Sequence, residues 1–133
     1  MKQVDEHVFV AGQIRPEDLP GIKAAGVTAI VNNRPDDEEP DQPSTAEMAV
    51  AAQAAGLSYQ HIPMAGGLSP ALVEEMANAL AEAEGPLLAF CRSGTRSTYL
   101  WALAEARRGA DGEELMRKAA AAGYDLTPIA RFL

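Results

Sequence analysis

The segment with the clearest chemical potential is LLAFCRSGTRSTYLW, residues 87–101, which carries the only cysteine of the chain. Cys91 ends an apolar run and is followed at once by residues that can bind an anion: Arg92, Ser93, Gly94, Thr95, Arg96 and Ser97. Positive charge around a thiol favours the thiolate, and hydroxyl, amide and guanidinium donors hold an oxyanion. The pattern therefore predicts a cysteine nucleophile inside an anion-binding loop.

Each residue of this loop has an expected role. A loop that leads into a helix directs several backbone N–H groups at one point, and Gly94 permits the tight conformation that such a cradle requires. Arg96 is the expected main clamp because a guanidinium can bind an oxyanion with two donors, and Arg92 is the expected second clamp. The remaining predicted substrate-binding residues are Ser93, Gly94, Thr95 and Ser97.

A structural explanation competes with this one. A lone cysteine is most often a small buried apolar residue, and Ser, Gly and Thr before a helix often serve only as caps. Here Cys91 directly follows a predicted strand, with Gly three positions later and Arg one and five positions later. That arrangement favours a functional site.

The elements that must position the loop alternate between strand and helix. Periodicity and turn residues predict strands at 7–11, 27–31, 57–62 and 86–90. Helices are predicted at 16–26, 44–56, 69–85, 97–108 and 111–123, with a last helical turn from Thr127. We therefore expect a single α/β domain over residues 1–133, with a mainly parallel central sheet flanked by helices. Ligands of such sheets bind at the carboxyl ends of the strands, where Cys91 lies.

Composition limits the possible functions. The chain has 133 residues, of which 47% are apolar, and a net charge of −8. This charge argues against nucleic acid and anionic membranes as partners, and no apolar run reaches the length of about 20 residues that a membrane helix needs. One cysteine permits no internal disulfide, and no Cys/His spacing predicts a metal. We expect a cytoplasmic protein without a cofactor or metal; its oligomeric state is open.

Two groups of motifs resemble known families. CRSGTRS resembles the active-site loop of single-domain rhodanese sulfurtransferases, in which the residue matching Cys91 carries the sulfur. HVFVAGQIRPEDLPGIKAAGVTAIVNNRP, YQHIP and LLAFCRSG resemble the layout of cysteine-based, dual-specificity phosphatases. Together they resemble, over essentially the whole chain, the phosphatase-like domain of the beta-lactamase-hydrolase-like proteins, also described as a sulfur transferase family. That resemblance implies a dual-specificity-phosphatase-like fold.

The resemblance leaves two chemistries open. Phosphatases of this kind have Arg six positions after Cys, whereas Arg96 is five positions after Cys91, as in many rhodaneses. Phosphatases also place an acidic residue on the loop after the "IP" strand, but Met64-Ala-Gly-Gly-Leu68 has none. Asp36, Asp37 or His61 could replace it, although a solvated acidic loop and a packed histidine are the simpler explanations.

Sulfur transfer through a Cys91 persulfide needs no general acid and is the first choice from the sequence. Phosphate monoester hydrolysis through a phosphocysteine is the alternative, and an anion-binding module without catalysis is a third hypothesis. The expected substrate is a small anion, either a sulfane sulfur donor or a phosphate ester. Because the chain has no second thiol, a persulfide would need an external acceptor such as a thiol or cyanide.

Overall fold

A computed structural model describes all residues, Met1–Leu133, and is built around one five-stranded sheet. The strands are β1 (Lys2–Asp5), β2 (Val8–Ala11), β3 (Ala29–Asn32), β4 (Ser58–His61) and β5 (Leu87–Phe90). Their order across the sheet is β1-β2-β5-β3-β4, and only the pairing of β1 with β2 is antiparallel. The predicted mainly parallel α/β fold is confirmed.

The helices connect these strands and cover both faces of the sheet. They are α1 (Leu19–Ala24), α2 (Thr45–Ala54), α3 (Pro70–Glu82), α4 (Thr95–Arg107) and α5 (Gly112–Ala121), with 3-10 turns at Pro16–Asp18 and Thr127–Phe132. Predicted caps at three helices are present: the side chains of Ser44, Ser69 and Asp111 accept backbone N–H bonds from the first turns of α2, α3 and α5. Side-chain caps of this kind satisfy donors that a helix start leaves unpaired.

The structure contains one strand that was not predicted, β1, and helix α4 begins earlier than predicted. The strand β1 was not expected, because residues 2–5 contain Lys, Gln and Asp and a single apolar residue, Val4. The structure buries Val4. Helix α4 begins at Thr95, two residues earlier than expected, so Arg96 and Ser97 lie in its first turn. The connection after β5 is therefore short, from Cys91 to Gly94.

The central strand β5 is apolar at every position and is buried on both faces of the sheet. Leu87 and Ala89 pack into the cluster that contains Leu100 and Trp101 of α4, together with residues of α3 and α5. Leu88 and Phe90 pack on the other face, in the cluster that contains residues of α1 and α2. A strand with four buried residues is typical of the centre of a parallel sheet.

The position of Cys91 follows from this packing. The Cys91 N–H donates to the carbonyl of Ala11 at 3.3 Å, and the Gln13 N–H donates to the carbonyl of Arg92 at 3.2 Å. A Cβ atom on Gly12 would lie 3.0 Å from that same Arg92 oxygen, so the turn that follows β2 passes close to the start of the Cys91 loop. The two hydrogen bonds hold the loop at the carboxyl end of the sheet. No helix of the structure combines the length and apolarity needed to cross a bilayer.

Candidate active site

Cys91 lies at the base of a loop that wraps around its sulfur. The residue is fully buried, and the backbone N–H of Gly94 donates to Cys91 Sγ with a donor-to-sulfur distance of 3.1 Å. Helix α4 begins directly after Gly94, so its amino-terminal end faces the same region. An amide donor and a helix amino terminus both stabilise negative charge on the sulfur.

Gly94 has the conformation that closes this loop. Its φ angle is +92°, which is a left-handed conformation that other residues rarely adopt. A Cβ atom at this position would lie 2.2 Å from the hydroxyl oxygen of Tyr124. Glycine is therefore required at position 94 for two reasons, the left-handed backbone angle and the close approach of the Tyr124 side chain.

Arg96 extends from the first turn of α4 toward an acidic partner. Its Nη1 and Nη2 each lie 2.9 Å from a carboxylate oxygen of Glu38, and Nη1 also donates to the carbonyl of Met64 at 3.1 Å. This pairing with Glu38 raises the pKa of Arg96, and the nearby Cys91 side chain adds to the increase. Glu38 binds the edge formed by Nη1 and Nη2, so the Nε donor has no carboxylate partner.

A second arginine organises the acidic segment. Arg34, at the end of β3, has a side chain that is only 3% exposed, and its Nε and Nη2 lie 2.8 and 2.9 Å from carboxylate oxygens of Glu38 and Glu39. Its Nη1 also donates to the side-chain oxygen of Gln13. Arg96 and, to a smaller extent, Arg34 hold the pKa of Glu38 at about 2, well below its usual value. Glu38 is therefore ionised across the physiological pH range.

The other predicted substrate-binding residues differ in exposure. Arg92 is 68% exposed, and its Nε lies 2.9 Å from a carboxylate oxygen of Glu39. Ser93 and Thr95 share a hydrogen bond between their hydroxyls at 3.2 Å, on the outer side of the loop. Arg92 is thus mostly exposed and is paired with Glu39 in this structure.

Ser97 lies in the interior. It is fully buried, and its hydroxyl donates to the side-chain oxygen of Asn33 at 2.8 Å. Asn33 in turn donates to the carbonyl of Ile62 at 2.9 Å. Ser97 therefore links α4 to the carboxyl ends of β3 and β4, and its hydroxyl is occupied in this structure.

The comparisons with known proteins agree with this architecture. Residues 1–108 match the family model described as "beta-lactamase hydrolase-like protein, phosphatase-like domain". The chain belongs to this family. A beta-lactamase hydrolase-like protein of Agrobacterium fabrum is 38% identical to it over 98% of the chain, and the chain spans 31% of the length of that relative.

Solved structures place this phosphatase-like domain among cysteine phosphatase folds. A candidate phosphatase from Neisseria meningitidis is 34% identical, with a TM-score of 0.84 over 98% of this chain and 93% of its own. A kinase-associated phosphatase, solved with its catalytic-site cysteine replaced by serine, has a TM-score of 0.74 at 17% identity, over 94% of this chain and 81% of its own. The second likeness concerns the fold alone. The predicted phosphatase-like fold is confirmed.

The candidate general acids make their contacts outside the Cys91 loop. The Asp36 carboxylate accepts the backbone N–H of Thr45 at 2.9 Å, at the start of α2, and Asp37 is an exposed residue with a φ angle of +64°. His61 Nε2 lies 2.8 Å from the carbonyl oxygen of Arg34. None of these three side chains forms a hydrogen bond with residues 91–97.

Sequence reasoning missed three residues of the site. Glu38 belongs to the segment interpreted as a solvated acidic loop, and Arg34 directly precedes it, yet their ion pair and that of Glu38 with Arg96 hold Arg96 in place. Tyr124, which follows α5, donates its hydroxyl to the carbonyl of Ser93 at 3.1 Å. No local sequence pattern indicates these roles, because the contacts of Glu38 with Arg96 and of Tyr124 with Ser93 join segments that are distant in the sequence. No group of His, Cys, Asp and Glu side chains is arranged to hold a metal ion.

Proposed function

We propose that this domain is a cysteine-dependent phosphatase that hydrolyses small phosphate monoesters through a phosphocysteine on Cys91. The single observation that carries the proposal is the hydrogen bond from the Gly94 N–H to Cys91 Sγ, 3.1 Å long, at the amino terminus of α4. Together with the Nε donor of Arg96, it provides donors for both a thiolate and the oxyanion of a substrate. The relatives described as phosphatases favour this choice over sulfur transfer, the first choice from the sequence.

The proposed reaction has two displacements at phosphorus. Cys91 Sγ attacks the phosphorus, the ester P–O bond breaks, and the alcohol oxygen leaves with the bonding electron pair. Water then attacks the phosphocysteine, the S–P bond breaks, and the thiolate returns as inorganic phosphate forms. Arg96 and the loop amides stabilise the charge on the equatorial oxygens in both steps.

The proposed substrate class rests on the candidate acids Asp36, Asp37 and His61, none of which forms a hydrogen bond with the Cys91 loop. A positioned general acid accelerates departure of a poor leaving group by about 10²–10⁴-fold. Phenolic oxygens, whose conjugate acids have a pKa of about 10, leave more readily than alkyl alkoxides without that help. We therefore propose aryl phosphates as the preferred substrates, with alkyl phosphates turned over far more slowly.

Sulfur transfer is the second candidate, and the distance in sequence from Cys91 to Arg96 favours it. Four intervening residues form a smaller cradle than the five expected for phosphatases, which suits one sulfane sulfur. In that reaction Cys91 Sγ attacks the outer sulfur of thiosulfate, the S–S bond breaks and sulfite leaves. An external thiolate or cyanide then removes the outer sulfur of the persulfide and restores the Cys91 thiolate.

One paired assay tests both candidates. Hydrolysis of p-nitrophenyl phosphate and sulfur transfer from thiosulfate to cyanide are measured for the wild type, Cys91→Ser and the remote surface variant Arg108→Ala. The phosphatase proposal predicts hydrolysis that is lost in Cys91→Ser and retained in Arg108→Ala. Sulfur transfer without hydrolysis would establish the second candidate instead, and binding of phosphate without either activity would indicate an anion-binding module. We also propose a reducing compartment, such as the cytoplasm, because Cys91 has no second thiol to restore it after oxidation.

A further inference from the structure

The peptide group that joins Ser93 to Gly94 is held from both sides. Its N–H donates to Cys91 Sγ at 3.1 Å, and its carbonyl accepts the hydroxyl of Tyr124 at 3.1 Å. The chain contains no cis peptide bond, so the carbonyl and the N–H of this group point in opposite directions. A hydrogen bond that fixes the carbonyl therefore also fixes the direction of the N–H toward the sulfur.

Tyr124 is itself held firmly in place. Its backbone N–H donates to the carbonyl of Ala119 at 2.9 Å, and the preceding Gly123 has a φ angle of +95°. This is the arrangement of a Schellman motif at the end of α5. The segment that follows is anchored in the core by Leu126 and Ile129, which are 1% and 4% exposed.

The ring of Tyr124 lies against the loop as well as bonding to it. A Cβ atom on Gly94 would lie 2.2 Å from the hydroxyl oxygen and 2.9 Å from the ring carbon that bears it. Partial burial raises the pKa of Tyr124, and the negative charge of Cys91 raises it further. The hydroxyl therefore keeps its proton at physiological pH and acts as a donor.

We propose that Tyr124 is a positioning residue for the Cys91 nucleophile, acting through the peptide group between Ser93 and Gly94. Donation to the Ser93 carbonyl polarises the peptide and makes the Gly94 N–H a stronger donor to the thiolate. This inference deepens the proposed function and rests on Cys91 being the nucleophile. Tyr124 lies beyond residues 1–108, so the inference adds a site residue from outside the part that matches the family model.

A test of this role must leave the ion pairs of the other charged groups around Cys91 unchanged. Arg96 approaches from α4 and is held by Glu38 of the segment after β3. Arg92 extends outward to Glu39. Replacing Tyr124 with Phe changes none of these ion pairs, and it keeps the ring against Gly94 while removing only the hydroxyl.

The decisive experiment measures the rate at which iodoacetamide alkylates Cys91 as a function of pH, in the wild type, Tyr124→Phe and Tyr99→Phe. Tyr99 is a matched control, because it is a partly buried tyrosine that packs against the same core cluster from α4. Loss of one hydrogen bond is expected to raise the midpoint of the Tyr124→Phe profile by about half a pH unit relative to the wild type. At a pH below both midpoints, the variant should therefore be alkylated about threefold more slowly than the wild type. The Tyr99→Phe profile should match that of the wild type.

A Tyr124→Phe profile that superimposes on the wild-type profile would overturn the proposal and leave Tyr124 as a packing residue. An equal shift in Tyr99→Phe would overturn it as well, since the effect would then not be specific to the peptide contact. Alkylation requires no substrate, so this result is independent of turnover. A wild-type protein that turns over neither aryl phosphate nor thiosulfate would refute the proposed function, while the alkylation profiles would still decide the role of Tyr124.

Discussion

Glu38 and Arg96 form an ion pair with two parallel contacts, each 2.9 Å long, although they are 58 positions apart in the sequence. The pair joins the segment after β3 to the first turn of α4, and Arg34 binds the same carboxylate. One edge of the Arg96 guanidinium is therefore held by Glu38 before any ligand binds. In the proposed reaction, this preorganisation means that Arg96 loses little side-chain freedom when it binds the oxyanion of a substrate.

Replacing Glu38 with Gln should weaken substrate binding. The amide keeps the size of the side chain but removes the charge that orients Arg96, so we expect kcat/KM for an aryl phosphate to fall about tenfold, mainly through KM, as expected for loss of a charge-assisted hydrogen bond. Steady-state kinetics measure this, with Glu74→Gln on the exposed face of α3 as the control. An increase in kcat/KM would contradict the prediction and show that Glu38 competes with the substrate for Arg96.

The same ion pair predicts a dependence of stability on pH. The pKa of Glu38 is lowered from 4.5 to about 2, so the folded protein holds the ionised form more strongly than the unfolded chain does. Its stabilising contribution is present above pH 4.5 and is lost as the pH falls toward 2. Urea unfolding should therefore show a wild-type advantage over Glu38→Gln at pH 6 that shrinks steadily below pH 4.5. An advantage that grows on acidification would contradict the assignment.

Gly94→Ala should damage both the fold of the loop and the reaction. The left-handed φ angle disfavours alanine, and the new Cβ atom would overlap the Tyr124 hydroxyl. We expect a loss of about 1–3 kcal/mol in the free energy of unfolding and a large decrease in kcat. Gly21→Ala is the matched control, because this α1 residue has no atom near its Cβ position and alanine favours helix. Equal stability of the two variants would refute this account of Gly94.

The sequence predicts the fold well because its strands and helices carry strong local signals. The apolar run before Cys91 and the capping residues Ser44, Ser69 and Asp111 each indicate a boundary within a few residues of the observed one. The chemistry of the loop is local too, since Cys91, Gly94 and Arg96 are neighbours in sequence. The strand β1 lacks such a signal and depends on pairing with β2 at the edge of the sheet.

The remainder of the site depends on contacts between distant segments. Glu38 lies in a segment rich in Pro, Asp and Glu, a composition typical of a solvated loop, and only the fold brings it to Arg96. Tyr124 follows α5 in a segment with no chemical motif, and its contact with Ser93 requires α5 to pack beside α4. No local pattern encodes either distance, which is why both residues were missed.

Ser97→Ala tests whether this serine supports the fold or binds substrate. Its hydroxyl donates to Asn33 in the interior, so alanine would leave the side-chain oxygen of Asn33 without this donor. An unsatisfied buried acceptor costs about 1–3 kcal/mol, and we expect that loss in the free energy of unfolding, with KM for an aryl phosphate nearly unchanged. Ser93→Ala is the matched control for stability because Ser93 is exposed on the loop. A strong increase in KM at unchanged stability would instead support the substrate-binding role predicted for Ser97 from the sequence.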